Sequence, residues 1–197
     1  MTEKEKMLAG RPYLAFDELL VEERLRAKQI VFAINNLAPN EHDRQQELLK
    51  SLLGKIGGKS NIEIPFRCDY GYNIQIGDNF YANYNCVILD CARVEIGHNV
   101  FFAPNVSLFT AGHPIDAQMR NQGWEYAFPI TIGDSVWIGG NTVINPGITI
   151  GNNVVIGSGS VVTRDIPDNT LAFGNPCKPH RSITDDDKQY YFKNLKF

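Results

Sequence analysis

After residue 129, apolar side chains return on a beat of six. Ile132, Ile138, Ile144, Ile150, Ile156 and Val162 are evenly spaced, and two places ahead of each stand Ile130, Val136, Thr142, Ile148, Val154 and Ser160. Gly133, Gly139, Gly151 and Gly157 follow the beat directly, where a sharp corner calls for a residue without a β-carbon. The implied unit is strand, corner, strand. Upstream the pairs are looser: Ile74/Ile76, Phe80/Ala82, Cys86/Ile88, then Val94/Ile96, Val100/Phe102 and Val106/Leu108. Between the third and fourth of these pairs the step is eight residues, which places a two-residue irregularity, read as a bulge, at Asp90-Cys91. A six-residue period is too short for ankyrin, tetratricopeptide or leucine-rich repeats. It fits a hexapeptide parallel β-helix, whose coils stack ~4.8 Å apart like other hydrogen-bonded strands.

The first quarter of the chain changes period. From Glu22 to Leu37, the positions Ala27, Ile30, Ile34 and Leu37 share one helical face, with Arg24, Lys28 and Asn35 off it. A second helix is predicted from an Asn40 N-cap, with Glu41 and Asp43 in its first turn. Its stripe is Leu48, Leu49, Leu52, Leu53 and Ile56, and Gly57-Gly58 stops it. Between the two regular stretches, "SLFTAGHPIDAQMRNQGWEYAFPITIG" (107–133) breaks the beat with a polar loop. The organisation expected is a helical cap over 1–58, a coil over 59–176 that throws out a loop at 109–129, and a tail at 177–197.

Composition narrows the function. A net charge of −3 gives no global basic field, so no nucleic-acid partner is expected. "MTEKEKMLAG" lacks the apolar core of a signal peptide, and no apolar run approaches the ~18 residues of a membrane span. A cytoplasmic location without membrane attachment is expected. Cys68, Cys86, Cys91 and Cys177 show no CxxC spacing and read as reduced packing residues without a disulfide. Of the four histidines, His42 lies in the second helix, His98 in a regular coil and His180 in the tail. Only His113 stands in the loop, bracketed by Gly112 and Pro114.

"ITIGDSVWIGGNTVINPGITIGNNVVIGSGSVVTRDIPDNTLAFGNPCK" resembles the β-helix of hexapeptide acyltransferases. Through "MTEKEKMLAG", "FRCDYGYNI", "TAGHPID" and "DKQYYFKNLKF", the whole chain resembles the sugar O-acetyltransferases typified by the galactoside and maltose enzymes. The resemblance implies a mainly β fold, a left-handed parallel β-helix of hexapeptide repeats with an N-terminal helical cap, a protruding loop and a C-terminal tail. The hand comes from the family, since parallel crossovers are otherwise right-handed in ~98% of cases.

It also implies acetyl transfer from acetyl-CoA to a hydroxyl of a maltose, galactoside or related sugar, without a metal, in a homotrimer with active sites between subunits. His113 falls at the family's catalytic position. There it would accept the hydroxyl proton as the oxygen attacks the thioester, by direct transfer without an acetyl-cysteine. Gly140 falls beside the thioester, where relatives can carry serine, and offers only its main-chain donor to the oxyanion.

Asp69 in "RCDYG" and Asn83 in "YANYN" match sugar-contacting positions, and Asp17 and Glu125 are candidates to join them. Corner duty is the plainer role for Asp69 and Asn83, since both residue types favour tight turns. Ser158, Thr163, Arg164, Lys178 and Arg181 match the coenzyme A site, towards which Asn175-Pro176 would turn the chain. Cys91 stands where the galactoside enzymes carry an acid that contacts the acceptor, and a packing role suits it. Trp137 should point outward, onto a cofactor groove or an interface.

Three alternatives stand beside this reading. One is a hexapeptide acetyltransferase acting on a non-sugar or amino-sugar acceptor, and another is a non-catalytic trimeric hexapeptide scaffold. The third, a γ-class carbonic anhydrase, needs three zinc-binding histidines, and His98 with His113 leaves no third.

Overall fold

The six-residue beat winds the chain into a prism with three walls of parallel strands, described over residues 1–197 by a computed structural model. The first wall stacks Lys55–Ile56, Ile74–Ile76, Val94–Ile96, Ile130–Ile132 and Thr149–Ile150. The second stacks Asn61–Ile62, Tyr81–Ala82, Phe101–Phe102, Trp137–Ile138, Val155–Ile156 and Thr170–Gly174. The third stacks Phe66–Cys68, Cys86–Leu89, Ser107–Phe109, Val143–Ile144 and Val161–Val162. Both members of every apolar pair point inward and are buried, including Thr142 and Ser160, whose hydroxyls donate to the carbonyls of Gly139 and Gly157.

The outer faces of the walls differ. The first presents Lys55, Gln75, Glu95, Thr131 and Thr149, as a solvated face should. The second presents Tyr81, Phe101, Trp137, Val155 and Leu171, and Trp137 points outward at 52% exposure. The third presents Arg67, Val87, Ser107, Val143 and Val161, with Leu89 and Phe109 beyond them.

The corner glycines do a different job from the one their spacing suggests. Gly133, Gly139, Gly151 and Gly157 do not adopt positive φ; a β-carbon on any of them would strike the next coil, at 2.6 Å from the Ser158 nitrogen in the case of Gly139. The left-handed corner conformation is carried instead by Asn79, Asn85, Asn99, Asn105, Asn141, Asn153 and Asn169, with Ser135 and Lys59 in equivalent turns. Asparagine tolerates that region better than other side chains, and its amide pairs with the asparagine of the coil above, as in Asn79–Asn99 (2.8 Å).

The edge joining the first and second walls is a ladder in which each side chain accepts from the main chain of the coil before it. Gly58, Asp78, His98, Asp134 and Asn152 donate their N–H groups to Asp78, His98, Asp134, Asn152 and Asp168 respectively, at 2.7–2.9 Å. His98 accepts through Nδ1 and is a structural rung. His98→Asn, which keeps an acceptor there, should leave the unfolding midpoint unchanged. His98→Leu should cost about 1 kcal/mol; equal behaviour of the two variants in thermal melts would contradict the ladder.

The cap contains three helices: α1 (Glu3–Leu8), α2 (Glu18–Asn35) and α3 (His42–Leu52). α1 escapes a pattern search because only Met7 of its six residues is buried. α2 starts before the predicted Glu22 and buries Leu20, Ala27, Val31 and Ile34. Arg24 and Asn35 belong to its inner side, contrary to expectation. Asn35 bonds both the N–H and the carbonyl of Phe66, each at 2.9 Å. Gln45 and Gln46 of α3 similarly donate to the carbonyls of Ile62 and Ser60. The helices thus satisfy the open strand edge of the lowest coil, a liability if left bare. The N-cap of α3 is Glu41 rather than Asn40, and Ile56 lies in a strand, because the helix ends at Leu52.

On the edge where the third wall passes to the first, successive coils are interrupted: the chain spends extra residues at 69–73, at 90–93 and above all at 110–129. Asp90-Cys91 is part of this lengthened corner and not a bulge within a strand.

Candidate active site

The long insertion is built, not loose. Ala111–Gly112 and Trp124–Ala127 form an antiparallel hairpin around the short helix α4 (Ala117–Asn121). Gly112 must lack a side chain because the Tyr126 ring crosses it; a β-carbon there would lie 2.5 Å from the Tyr126 hydroxyl. A third strand, Tyr13–Leu14, adds to the outer side with Tyr13 opposite Glu125 and Leu14 opposite Trp124. The N-terminal segment therefore straps the loop to the cap.

His113 follows this hairpin strand directly and is half exposed. Its Nδ1 lies 3.4 Å from the Trp124 carbonyl oxygen, and its Nε2 lies 3.9 Å from Glu125 Oε1. A carbonyl can only accept, so this contact is a hydrogen bond when Nδ1 carries a proton, the tautomer of the neutral ring in which the lone pair is on Nε2. Glu125, whose side chain is 18% exposed, accepts from the buried Tyr13 hydroxyl at 2.8 Å through its other oxygen. The Cys91 thiol donates to Asp69 at 3.4 Å. Asp69 lies at the corner on this same edge, and burial raises its carboxyl above the usual range.

Asp90 holds the floor of this edge. It is fully buried and accepts from the N–H groups of Asp69, Tyr70 and Asn73. Burial pushes its carboxyl up to about 6, against the pull of the Tyr70 and Asp69 donors. Since the folded value exceeds the ordinary 3.8, the stability this group contributes is fully present below 3.8 and is lost as pH rises through about 6. Asp90→Asn should flatten the pH dependence of the unfolding midpoint between those values; an unchanged slope would contradict the assignment.

The remaining candidates occupy other places. Asp17 sits at the N-cap position of α2 and lines a cleft with Phe16, Gln122 and Gly123. Asn83, Gly140 and Ser158 stack on the edge between the second and third walls, where Asn83 accepts from the Tyr84 N–H and the Gly159 N–H donates to Gly140. A β-carbon at Gly140 would approach the Pro104 oxygen to 3.1 Å, so serine fits there only if the coil yields slightly. Thr163 and Arg164 lie on the same edge as His113, two coils further on. Lys178 and Arg181 lie on Cys177–Ser182, which pairs antiparallel with Thr170–Gly174 around the Asn175-Pro176 turn. Arg181 is held by both oxygens of Asp187, whereas Arg164 and Lys178 have no carboxylate partner. One edge of the prism therefore carries His113, Glu125 and Asp69, and Asn83, Gly140 and Ser158 lie on a separate edge.

All four cysteines are free and buried, and burial raises every thiol, that of Cys86 to about 12. None supplies a thiolate for covalent catalysis. His98 and His113 stand on different edges, and no group of three or more His, Cys, Asp or Glu side chains is arranged to hold a metal ion. No helix is long and apolar enough to cross a membrane.

Tyr13 and the Trp124 carbonyl are absent from the sequence-based site. Tyr13 lies far from the loop in sequence and its pairing with Glu125 is a tertiary event, while a main-chain acceptor leaves no mark on residue identity.

The same architecture recurs among known proteins. Residues 6–57 match the maltose acetyltransferase hexapeptide capping motif, and residues 129–164 match six repeats of the bacterial transferase hexapeptide. The chain is 47% identical to the galactoside O-acetyltransferase of Escherichia coli K12 over 98% of its length and 95% of that protein's. A maltose O-acetyltransferase from Clostridium difficile 630 superposes with a TM-score of 0.93 at 56% identity, covering 94% of this chain and 99% of that one. A galactoside acetyltransferase in complex with coenzyme A superposes with a TM-score of 0.97 at 47% identity, covering 100% and 98%. With the cap and the hexapeptide repeats both matched and the likeness extending over nearly the full chain, this protein belongs to the hexapeptide-repeat sugar O-acetyltransferases, the maltose and galactoside O-acetyltransferase family.

Proposed function

We propose that His113 is the general base with which this enzyme moves the acetyl group of acetyl-CoA onto a sugar hydroxyl. The observation that carries the proposal is the placement of the ring, with Nδ1 against the Trp124 carbonyl and Nε2 beside Glu125, which favours the tautomer whose lone pair is on Nε2. As the hydroxyl oxygen attacks the thioester carbonyl, Nε2 takes its proton, and the Glu125 carboxylate stabilises the imidazolium that forms. The main-chain N–H of Gly140 faces the thioester oxygen, and coenzyme A leaves as the thiol.

Asp69, Asn83, Asp17 and Glu125 supply acceptors and donors for the sugar hydroxyls. Arg164 and Lys178 are the cations ready for the phosphates of coenzyme A, with Ser158 and Thr163 along its arm. Arg181 joins them once it leaves Asp187.

The working unit is a homotrimer. Two of the three walls carry mostly apolar outer faces, interrupted by Asn61 on the second and by Arg67 and Ser107 on the third, and the edge they share is the one bearing Asn83, Gly140 and Ser158. Packing the third wall of one subunit against the second wall of the next around a threefold axis covers both faces, and the protruding loop that carries His113 reaches across that interface towards Asn83 of the neighbour. The supply of acetyl-CoA and the four free cysteines fit a cytoplasmic enzyme.

Thiol release from acetyl-CoA against galactosides, maltose, glucose and amino sugars tests the reading. Turnover with a sugar that carries no amino group is the expected result. Turnover confined to amino sugars would move the acceptor to an amine, and none at all would leave only a coenzyme-binding scaffold.

A further inference from the structure

The strap that runs from Tyr13 to Asp17 crosses the site at its most sensitive point, and its interactions are specific. Leu14 N–H donates to Glu3 of α1 at 2.7 Å, and the Ala15 carbonyl accepts from Arg24 of α2 at 2.6 Å. Arg24 also donates to the Tyr70 hydroxyl at 2.6 Å, so the strap, α2 and the corner at 69–73 are tied at one place. Immediately before these anchors Tyr13 is fully buried, and the one polar atom of its side chain is directed at Glu125 Oε2.

Both contacts of His113 come from the strand Trp124–Ala127: the Trp124 carbonyl at Nδ1 and the Glu125 carboxylate near Nε2. That strand is pinned from its outer side by the register Tyr13↔Glu125 and Leu14↔Trp124. We propose that Tyr13 is a positioning residue, whose hydroxyl fixes the rotamer of Glu125 so that the free carboxylate oxygen faces the imidazole during proton transfer. An aromatic side chain alone would pack the small cluster formed by Met7, Leu20, Tyr70 and Ala127 equally well. The hydroxyl is what that packing does not need. Unanchored, the Glu125 side chain would gain other rotamers and spend less time opposite Nε2.

The inference rests on the assignment of His113 as the base. Turnover surviving in His113→Ala would remove that assignment, whereas turnover lost there but kept in the tyrosine variant removes only the role of Tyr13. The experiment compares Tyr13→Phe, Glu125→Gln and the double variant as full-length proteins. Tyr13→Phe should lower kcat about 10- to 100-fold with KM for acetyl-CoA unchanged, and should move the acidic limb of the kcat/KM profile instead of scaling the whole curve down. In the Glu125→Gln background the same substitution should have no further effect, since the group it positions is gone. Wild-type kcat and pH profile in Tyr13→Phe would overturn the inference. So would losses that multiply in the double variant, which marks a general structural weakening. If Tyr13→Phe melts below the assay temperature, assays in the cold on all three variants keep the comparison.

Discussion

His113→Ala is expected to lower turnover about 10²–10⁴-fold while leaving the unfolding midpoint and the Kd for coenzyme A at their wild-type values. The size follows from the chemistry: an alcohol is a poor nucleophile until its proton is being removed, and no other base stands within reach of the same point. Glu125 is the nearest, but Tyr13 holds one of its oxygens and the other faces the ring, and Asp69 is bonded to Cys91. The selectivity follows from the structure. His113 is 54% exposed in its side chain and makes one hydrogen bond, at 3.4 Å, to a carbonyl that water satisfies equally well once the ring is gone. Of the phosphate-binding candidates, Arg164 lies two coils further along the edge and Lys178 on the hairpin Cys177–Ser182. A variant that loses stability along with turnover would show that His113 is a structural residue of the hairpin; wild-type turnover would end its role as base.

The second large effect concerns the assembly. Asn83→Ala and His113→Ala should each be nearly inactive alone, yet regain activity when unfolded together and refolded as a mixture. The two residues sit on different edges of one prism, so a shared site must draw them from two chains. In randomly mixed trimers a site is intact wherever a subunit with native His113 faces one with native Asn83, which is about one quarter of all sites at equal proportions. Recovery near that fraction of wild-type turnover is the expected outcome. No recovery, in mixtures shown to exchange subunits, would place Asn83 outside the site or the whole site within one chain.

How much of this was legible in the residues differs from element to element. The prism was, because both members of each pair from Ile74/Ile76 to Ser160/Val162 face a closed interior that excludes any other register. Its hand was not, since the physical default for parallel crossovers is the opposite one. The glycine beat was visible but its cause was not: close stacking of coils, rather than backbone conformation, keeps Gly139 and Gly157 small.

In the cap, apolar spacing located α2 and α3 but misjudged Arg24 and Asn35. A polar side chain that satisfies a strand edge or a tyrosine hydroxyl looks solvent-facing to any hydrophobic count. His113 could be singled out by its loop and its flanking Gly112 and Pro114. Its orienting partners could not, because one is a main-chain carbonyl and the other depends on a strand from the first turn of the chain. Asp90 was seen only as a broken rhythm, although that break is the corner on which Asp69 is held.

Direct transfer by His113 is tested most closely in a single turnover, with enzyme in excess over acetyl-CoA and thiol and acetylated sugar followed together. The account predicts that thiol appears only when sugar is present, in step with the ester, and that both slow together in His113→Ala. Thiol released without sugar, or at an undiminished rate in His113→Ala, would contradict it.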